Sequence, residues 1–170
     1  MILVTGAWRT CSIQFAGKMA VVVRIRQSRI SDQERVFDIW RNAVDSTHHF
    51  LTSDDRRDIE IEVREFLPQV SLWLAVDDSD GPMGFMLLAG GHMEALFVDP
   101  SRHGLGVGRA LIQHALSISP TITTEVNEQN TRALSFYLHM GFECIGYSQR
   151  DQQGRAYPLV HMRLANLVAN

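Results

Sequence analysis

Cysteine is scarce in this chain. Its 170 residues include only Cys11 and Cys144, isolated from each other and from any CxxC spacing. That pattern indicates neither a disulfide framework nor a zinc site, and it suits a reducing cytoplasm. A basic surplus is also missing: the net charge of -3 argues against nucleic acid as a partner, because a nucleic-acid surface needs clustered cations. No uninterrupted apolar run approaches the roughly 18 residues of a membrane-spanning helix, so no membrane partner is expected. Residues 1–18 hold a short apolar piece, but Arg9 interrupts it and no basic segment precedes it, which argues against a secretory signal. Internal repeats, low-complexity tracts and Pro/Ser-rich linkers are absent.

What is present fits one globular domain. A hydrophobic fraction of 45% and a charged fraction of 21% in a chain of this length can bury a sizeable core. Residues 1–18 match nothing downstream and are expected to be an extension outside the fold, with the domain spanning 19–170. A strand is expected over 21–26. Ser31-Asp32-Gln33-Glu34 has capping-box spacing, and Val36, Ile39, Trp40 and Ala43 follow at helical intervals. Ser53-Asp54-Asp55 offers the start of a second helix with Ile59, Val63, Phe66 and Leu67 on one face, stopped by Pro68.

Apolar runs at 72–76, 84–89 and 92–98, separated by 77–82 and Gly90-Gly91, predict an antiparallel meander. A helix from Gly106 or Val107 to before Pro120, a strand over 122–126, a helix over 131–140 closed by Gly141, and strands over 142–147 and 157–164 complete the chain. The order βααβββαβαββ predicts an α/β domain with a mixed, mostly antiparallel sheet and helices on both faces.

The segment 97–111 organises this pattern, running from an apolar strand through glycines at 104, 106 and 108 into a helix. Glycines there let successive backbone N–H groups turn toward one point, where the helix adds its positive end. A tight turn needs glycines with or without a ligand, so the spacing alone leaves an anion cradle and a structural turn equally open. A Walker A loop needs Lys-Ser or Lys-Thr after its last glycine, and Arg109-Ala110 stands there. A dinucleotide fingerprint needs GxGxxG in an early βαβ unit, and this GxGxG follows a meander.

Three pieces in order resemble the GNAT superfamily of acyl-CoA-dependent N-acetyltransferases over residues 20–165, closest to its small bacterial members. They are 96–100 with the glycine loop, 126–130, and Ala133-Leu134-Ser135-Phe136-Tyr137 ending in Gly141-Phe142. The resemblance implies acetyl-CoA as co-substrate, with the backbone of Leu96, Phe97 and Val98 pairing with the pantetheine arm like an added strand. It assigns the pyrophosphate to the amides of His103, Gly104, Leu105, Gly106, Val107, Gly108 and Arg109, and a contact near the arm to Asn130. His103 departs from the family's usual Arg or Gln, and Arg102 one residue earlier is available to supply the charge. Asn130 can equally cap the following helix, and the two roles are compatible.

The resemblance makes Tyr137 the acid that protonates the leaving thiolate, with a core tyrosine as the alternative. Glu94, with His92 two residues before it and on the same face of a regular strand, is the preferred base; either can instead be a satisfied polar residue beside the turn. A backbone N–H near Val98 is the expected oxyanion donor. His48 and His49 border the acceptor region, but they have no further ligands at metal spacing and read as helix-end histidines, so no metal is expected. The implied reaction is direct transfer of acetyl to a primary amine, on a small molecule or a protein, in a ternary complex. A non-catalytic CoA or acyl-CoA sensor is the alternative. Monomer and homodimer are both compatible with the sequence.

Overall fold

The computed structural model describes residues 22–165. The expected extension at 1–18 lies outside the described residues. Seven strands form one sheet: β1 (Arg24–Gln27), β2 (Trp73–Val76), β3 (Pro82–Ala89), β4 (His92–Val98), β5 (Thr121–Asn127), β6 (Glu143–Ser148) and β7 (Leu159–Ala165). Four helices accompany them: α1 (Gln33–Thr47), α2 (Ser53–Phe66), α3 (Val107–Ile118) and α4 (Thr131–His139). The sheet order is β1-β2-β3-β4-β5-β7-β6, and every pairing is antiparallel except β4 with β5.

Two apolar layers hold the helices to opposite faces. On one side Val36, Ile39, Trp40 and Val44 of α1 pack on Leu74, Val76 and Phe85, with Ile59 and Val63 of α2 at the margin. On the other, Leu111, Ile112 and Ala115 of α3 and Tyr137 of α4 pack on Met86, Met93, Ile122 and Val126. The α1 stripe recurs at three- and four-residue steps, as a helix needs to bury one face.

The expected capping chemistry is displaced at two helix starts. Asp32, not Ser31, organises the entry to α1: its carboxylate accepts from the Arg29 N–H at 2.7 Å and from Arg26 at 2.7 and 3.0 Å. Thr52, one residue before the expected Ser53, caps α2 by accepting from the Asp55 N–H at 3.1 Å. Gly141 closes α4 as expected, with φ +92°; the Phe142 N–H reaches the Tyr137 carbonyl and the Gly141 N–H the Leu138 carbonyl, both at 3.0 Å.

Candidate active site

The site begins where β4 and β5 part. Their parallel pairing covers only His92↔Thr123 and Met93↔Thr124, after which the strands diverge. The rest of β4 therefore keeps an edge of peptide groups not engaged by β5. The local cause is a bulge: on β3, Leu87 and Leu88 are successive, but they face Ala95 and Met93, so Glu94 is the extra residue. The bulge shifts the alternation. Met93 joins the α3 side of the core, as do Leu96 and Val98, while Ala95 and Phe97 face the α1 side.

A cleft of about 680 Å³ occupies this divergence. It runs from the β4 edge and the glycine loop along α4 and to the end of α1. Leu96, Phe97, Val98, His103, Gly104, Gly106, Val107, Gly108, Arg109 and Asn130 line it among the residues expected to hold the cofactor, and Glu94 and Tyr137 among those expected to do chemistry. His92 and Leu105 do not line it. His92 bonds Thr123 Oγ1 at 2.8 Å, with its Nε2 3.9 Å from Glu94. Leu105 packs its side chain against the core.

The loop is fixed from below. Asp99, only 6% exposed, takes Arg35 on one oxygen at 2.6 Å and the Ser101 N–H and hydroxyl on the other at 2.9 and 2.7 Å. Burial pushes this carboxyl up, but Ser101 and Arg35 outweigh it and hold it below the usual carboxylate range. The three glycines serve different needs. Gly104 and Gly106 have φ of +77° and +80° and open space where a side chain would go, so the backbone turn requires them. Gly108 lies inside α3, where a Cβ would come within 2.9 Å of the Phe136 ring; it is small so that α3 and α4 can approach.

The amides divide likewise. Those of His103 and Leu105 already reach the Pro100 and Arg102 carbonyls, at 3.3 and 3.4 Å. The first bond of α3 runs from the Ala110 N–H to the Gly106 carbonyl at 2.9 Å, which leaves the amides just before it without an intrahelical partner at the positive end of the helix. The usable cradle is thus narrower than the full span 103–109 and centred on 106–109. The His103 ring is held between the Val98 carbonyl, 3.2 Å from Nε2, and Arg132, whose guanidinium donates to Nδ1 at 2.8 Å. Burial, then Arg132, push its pKa down, which agrees with a neutral ring carrying its proton on Nε2. Arg102 lines the cleft with its guanidinium 3.7 Å from Asp77, and the cation in direct contact with His103 is Arg132 from α4, a residue not singled out from the sequence.

Tyr137 is 6% exposed, with Phe136 and Phe142 rings edge-on at 5.3 and 5.1 Å. Burial pushes its phenol well above the ordinary value, with Thr124 pulling the other way, so it remains a proton donor at neutral pH. Asn130 is buried and accepts from the Ala133 N–H at 3.1 Å, so it does cap α4 while lining the cleft. His48, at the end of α1, also lines the cleft, and burial, then Arg56, lower its pKa to about 4. Among the described residues no cluster of three or more His, Cys, Asp or Glu side chains could hold a metal, and no helix is long and apolar enough to cross a membrane.

A diverging β4/β5 pair, an open strand edge and a helix N-terminus behind glycines are the features that the sequence resemblance assigned to an acyl-CoA site in an N-acetyltransferase fold. The chain belongs to the GNAT acetyltransferase family: the profile of the acetyltransferase (GNAT) domain matches residues 68–144. It is 49% identical over 142 residues to the peptidyl-lysine N-acetyltransferase YjaB of Salmonella typhimurium, covering 84% of this chain and 98% of the relative. The solution structure of apo YjaB from Escherichia coli superposes with a TM-score of 0.81 at 49% identity, over 84% of this chain and 97% of that one. An N-acetyltransferase from Thermoplasma acidophilum, solved with coenzyme A, shares the fold with a TM-score of 0.69 at 18% identity, over 85% and 99% of the two chains. This chain is accordingly an acetyl-CoA-dependent N-acetyltransferase.

Proposed function

We propose that the cleft moves acetyl from acetyl-CoA directly to the ε-amine of a peptide lysine, with Tyr137 as the acid and Glu94 as the base. The acceptor class follows the YjaB relatives, which are peptidyl-lysine N-acetyltransferases. The observation that carries the mechanism is the placement of Tyr137: a buried, protonated phenol on the cleft wall across from the open β4 edge.

The two proton demands are unequal. An alkylammonium of pKa about 10.4 must lose a proton before attack, and the departing thiolate of pKa about 8.5 must gain one. The Tyr137 hydroxyl supplies the second proton and is restored by the proton that the nitrogen still has to shed as the amide forms. Glu94, which the bulge places on the cleft wall, removes the first, with His92 beside it at 3.9 Å but behind the lining. The open edge at 96–98 accepts an extended pantetheine arm as an added strand, and the amides at 106–109 with Arg132 meet the phosphates. The amine and thioester are thereby aligned in one complex, and no acetyl group rests on the protein.

Tyr137→Phe tests the assignment. Turnover with a lysine peptide should fall by roughly 100-fold or more, the usual worth of a positioned acid. The dissociation constant of acetyl-CoA, measured by calorimetry, should change little. Unchanged turnover removes Tyr137 from the mechanism; binding without thiol release in the wild-type protein favours a sensor.

A further inference from the structure

Across the divergence from Glu94 stands a second carboxylate whose surroundings are more elaborate than any surface glutamate requires. Glu125 of β5 sits directly opposite His161 of β7. His161 Nδ1 is 3.2 Å from Glu125 Oε1, and the other nitrogen of the same ring is 2.6 Å from the Ser148 hydroxyl at the end of β6. The second oxygen, Oε2, accepts from the Gln152 amide at 3.2 Å. Serine, histidine and glutamate thus form one hydrogen-bonded row across three strands.

The direction of the row decides what it can do. In a hydrolytic triad the serine faces the substrate and the carboxylate lies hindmost. Here Glu125 lines the cleft, while His161 and Ser148 do not. The row therefore ends in a carboxylate, not a nucleophile. With Ser148 donating to Nε2, the neutral ring carries its proton on Nδ1 and donates to Glu125. Glu125 then has one oxygen fixed by His161 and the other by Gln152, with remaining lone pairs available to the cleft. The groups around His161 are Glu125 from β5, Ser148 from β6 and, one pleat along its own strand, Arg163.

The rest of the cleft gives this carboxylate its meaning. Arg102, Arg109 and Arg132 line the loop end, whereas Glu94 and Glu125 line the end where the strands part. Each glutamate is the residue just after the last β4/β5 pair, Met93↔Thr124. One end of the cleft is cationic, as the phosphates of acyl-CoA need; the other is anionic, as a protonated amine needs.

We propose that Glu125, held by His161 and Ser148, is the carboxylate that receives the ammonium group of the acceptor before Glu94 deprotonates it. His161 and Ser148 are positioning residues that act through Glu125. The inference rests on the transfer reaction proposed above and adds the acceptor side: the cleft selects cationic primary amines.

The test uses the full-length protein, acetyl-CoA and a peptide with one lysine and a blocked N-terminus. Glu125→Gln should raise KM for the peptide roughly tenfold or more, in keeping with loss of a charged hydrogen bond, while kcat moves only a few-fold. Calorimetric affinity for acetyl-CoA should stay at the wild-type value. His161→Leu should reproduce much of the KM rise, and His161→Asn, which keeps an N–H donor at the Nδ1 position, should restore most of it. A wild-type KM in Glu125→Gln, or an equal loss of acetyl-CoA affinity, overturns the proposal. A wild-type protein that binds acetyl-CoA yet never acetylates the peptide refutes the lysine reading itself, and this inference with it.

Discussion

At the scale of single residues, His48 shows how burial converts an ordinary side chain into a pH-dependent term in stability. Its ring bonds Thr47 through Nδ1 at 2.8 Å and packs against Phe50, 5.3 Å between centroids. Burial, aided by Arg56, lowers its pKa from 6.5 to about 4. The unfolded chain therefore binds a proton below about pH 6.5 that the folded chain refuses until near pH 4, and stability falls across that window as pH falls. At pH 5 the loss is on the order of 2 kcal/mol relative to pH 7. Urea unfolding of wild type and His48→Asn at both values checks this: the variant should lose distinctly less stability than the wild type between pH 7 and pH 5. Equal losses would show that His48 is already solvated.

The residue scale is also where the sequence was most informative about the cleft. Gly106, Val98, Asn130 and Tyr137 each belong to a local pattern, a loop, a strand end, a helix start or a helix face, and the family resemblance is what turned those patterns into expected cleft residues. His103 illustrates what such patterns omit. Its ring interacts with Arg132, a partner 29 positions away on α4, which adds a cation to the loop end beside Arg102 and Arg109.

At the scale of elements, helix and strand identity follow from apolar periodicity, and the expected order of eleven elements matches the structure. The details that escaped are tertiary. Asp32 anchors the helix entry because it accepts from the Arg29 backbone N–H three residues before it and from the Arg26 guanidinium on β1, and no spacing rule sees the second contact. The bulge at Glu94 arises from pairing with Leu87 and Leu88. It breaks the regular alternation expected of β4, although His92 and Glu94 remain near neighbours at 3.9 Å.

Gly108 is the element-scale residue most open to test. A methyl group there would press on the Phe136 ring and force α3 from α4. Gly108→Ala should cost about 1–3 kcal/mol by overpacking, which at this length corresponds to a fall in Tm of roughly 3–10 °C. Shrinking the opposing ring with Phe136→Leu should recover part of the loss, so the double variant should be more stable than the sum of the single changes predicts. Strictly additive melting shifts would place the glycine's role elsewhere.

At the scale of the whole molecule, the sheet order joins what the chain separates. β5 lies between β4 and β7, and β6 pairs outside β7. That order puts Glu125, His161 and Ser148 in a row, although they come from three separate strands of the sequence. A strand list cannot reveal such a row, because it depends on which edge β7 enters. The same topology leaves β4 open beyond Met93. Acetyl-CoA spanning that edge and the start of α3 should tie both halves of the sheet together. Saturating acetyl-CoA at 100 times its dissociation constant should add about 2.7 kcal/mol to the unfolding free energy, readable as a rise in Tm; no rise at such excess would show that the cleft does not hold it.

The direct-transfer mechanism is tested most sharply by a two-substrate initial-rate matrix with acetyl-CoA and the single-lysine peptide varied against each other, following release of free thiol. Direct attack within one complex predicts thiol release that requires the peptide and reciprocal plots that intersect. Parallel lines, the mark of an acetylated enzyme between two half-reactions, or thiol release independent of the peptide would contradict it.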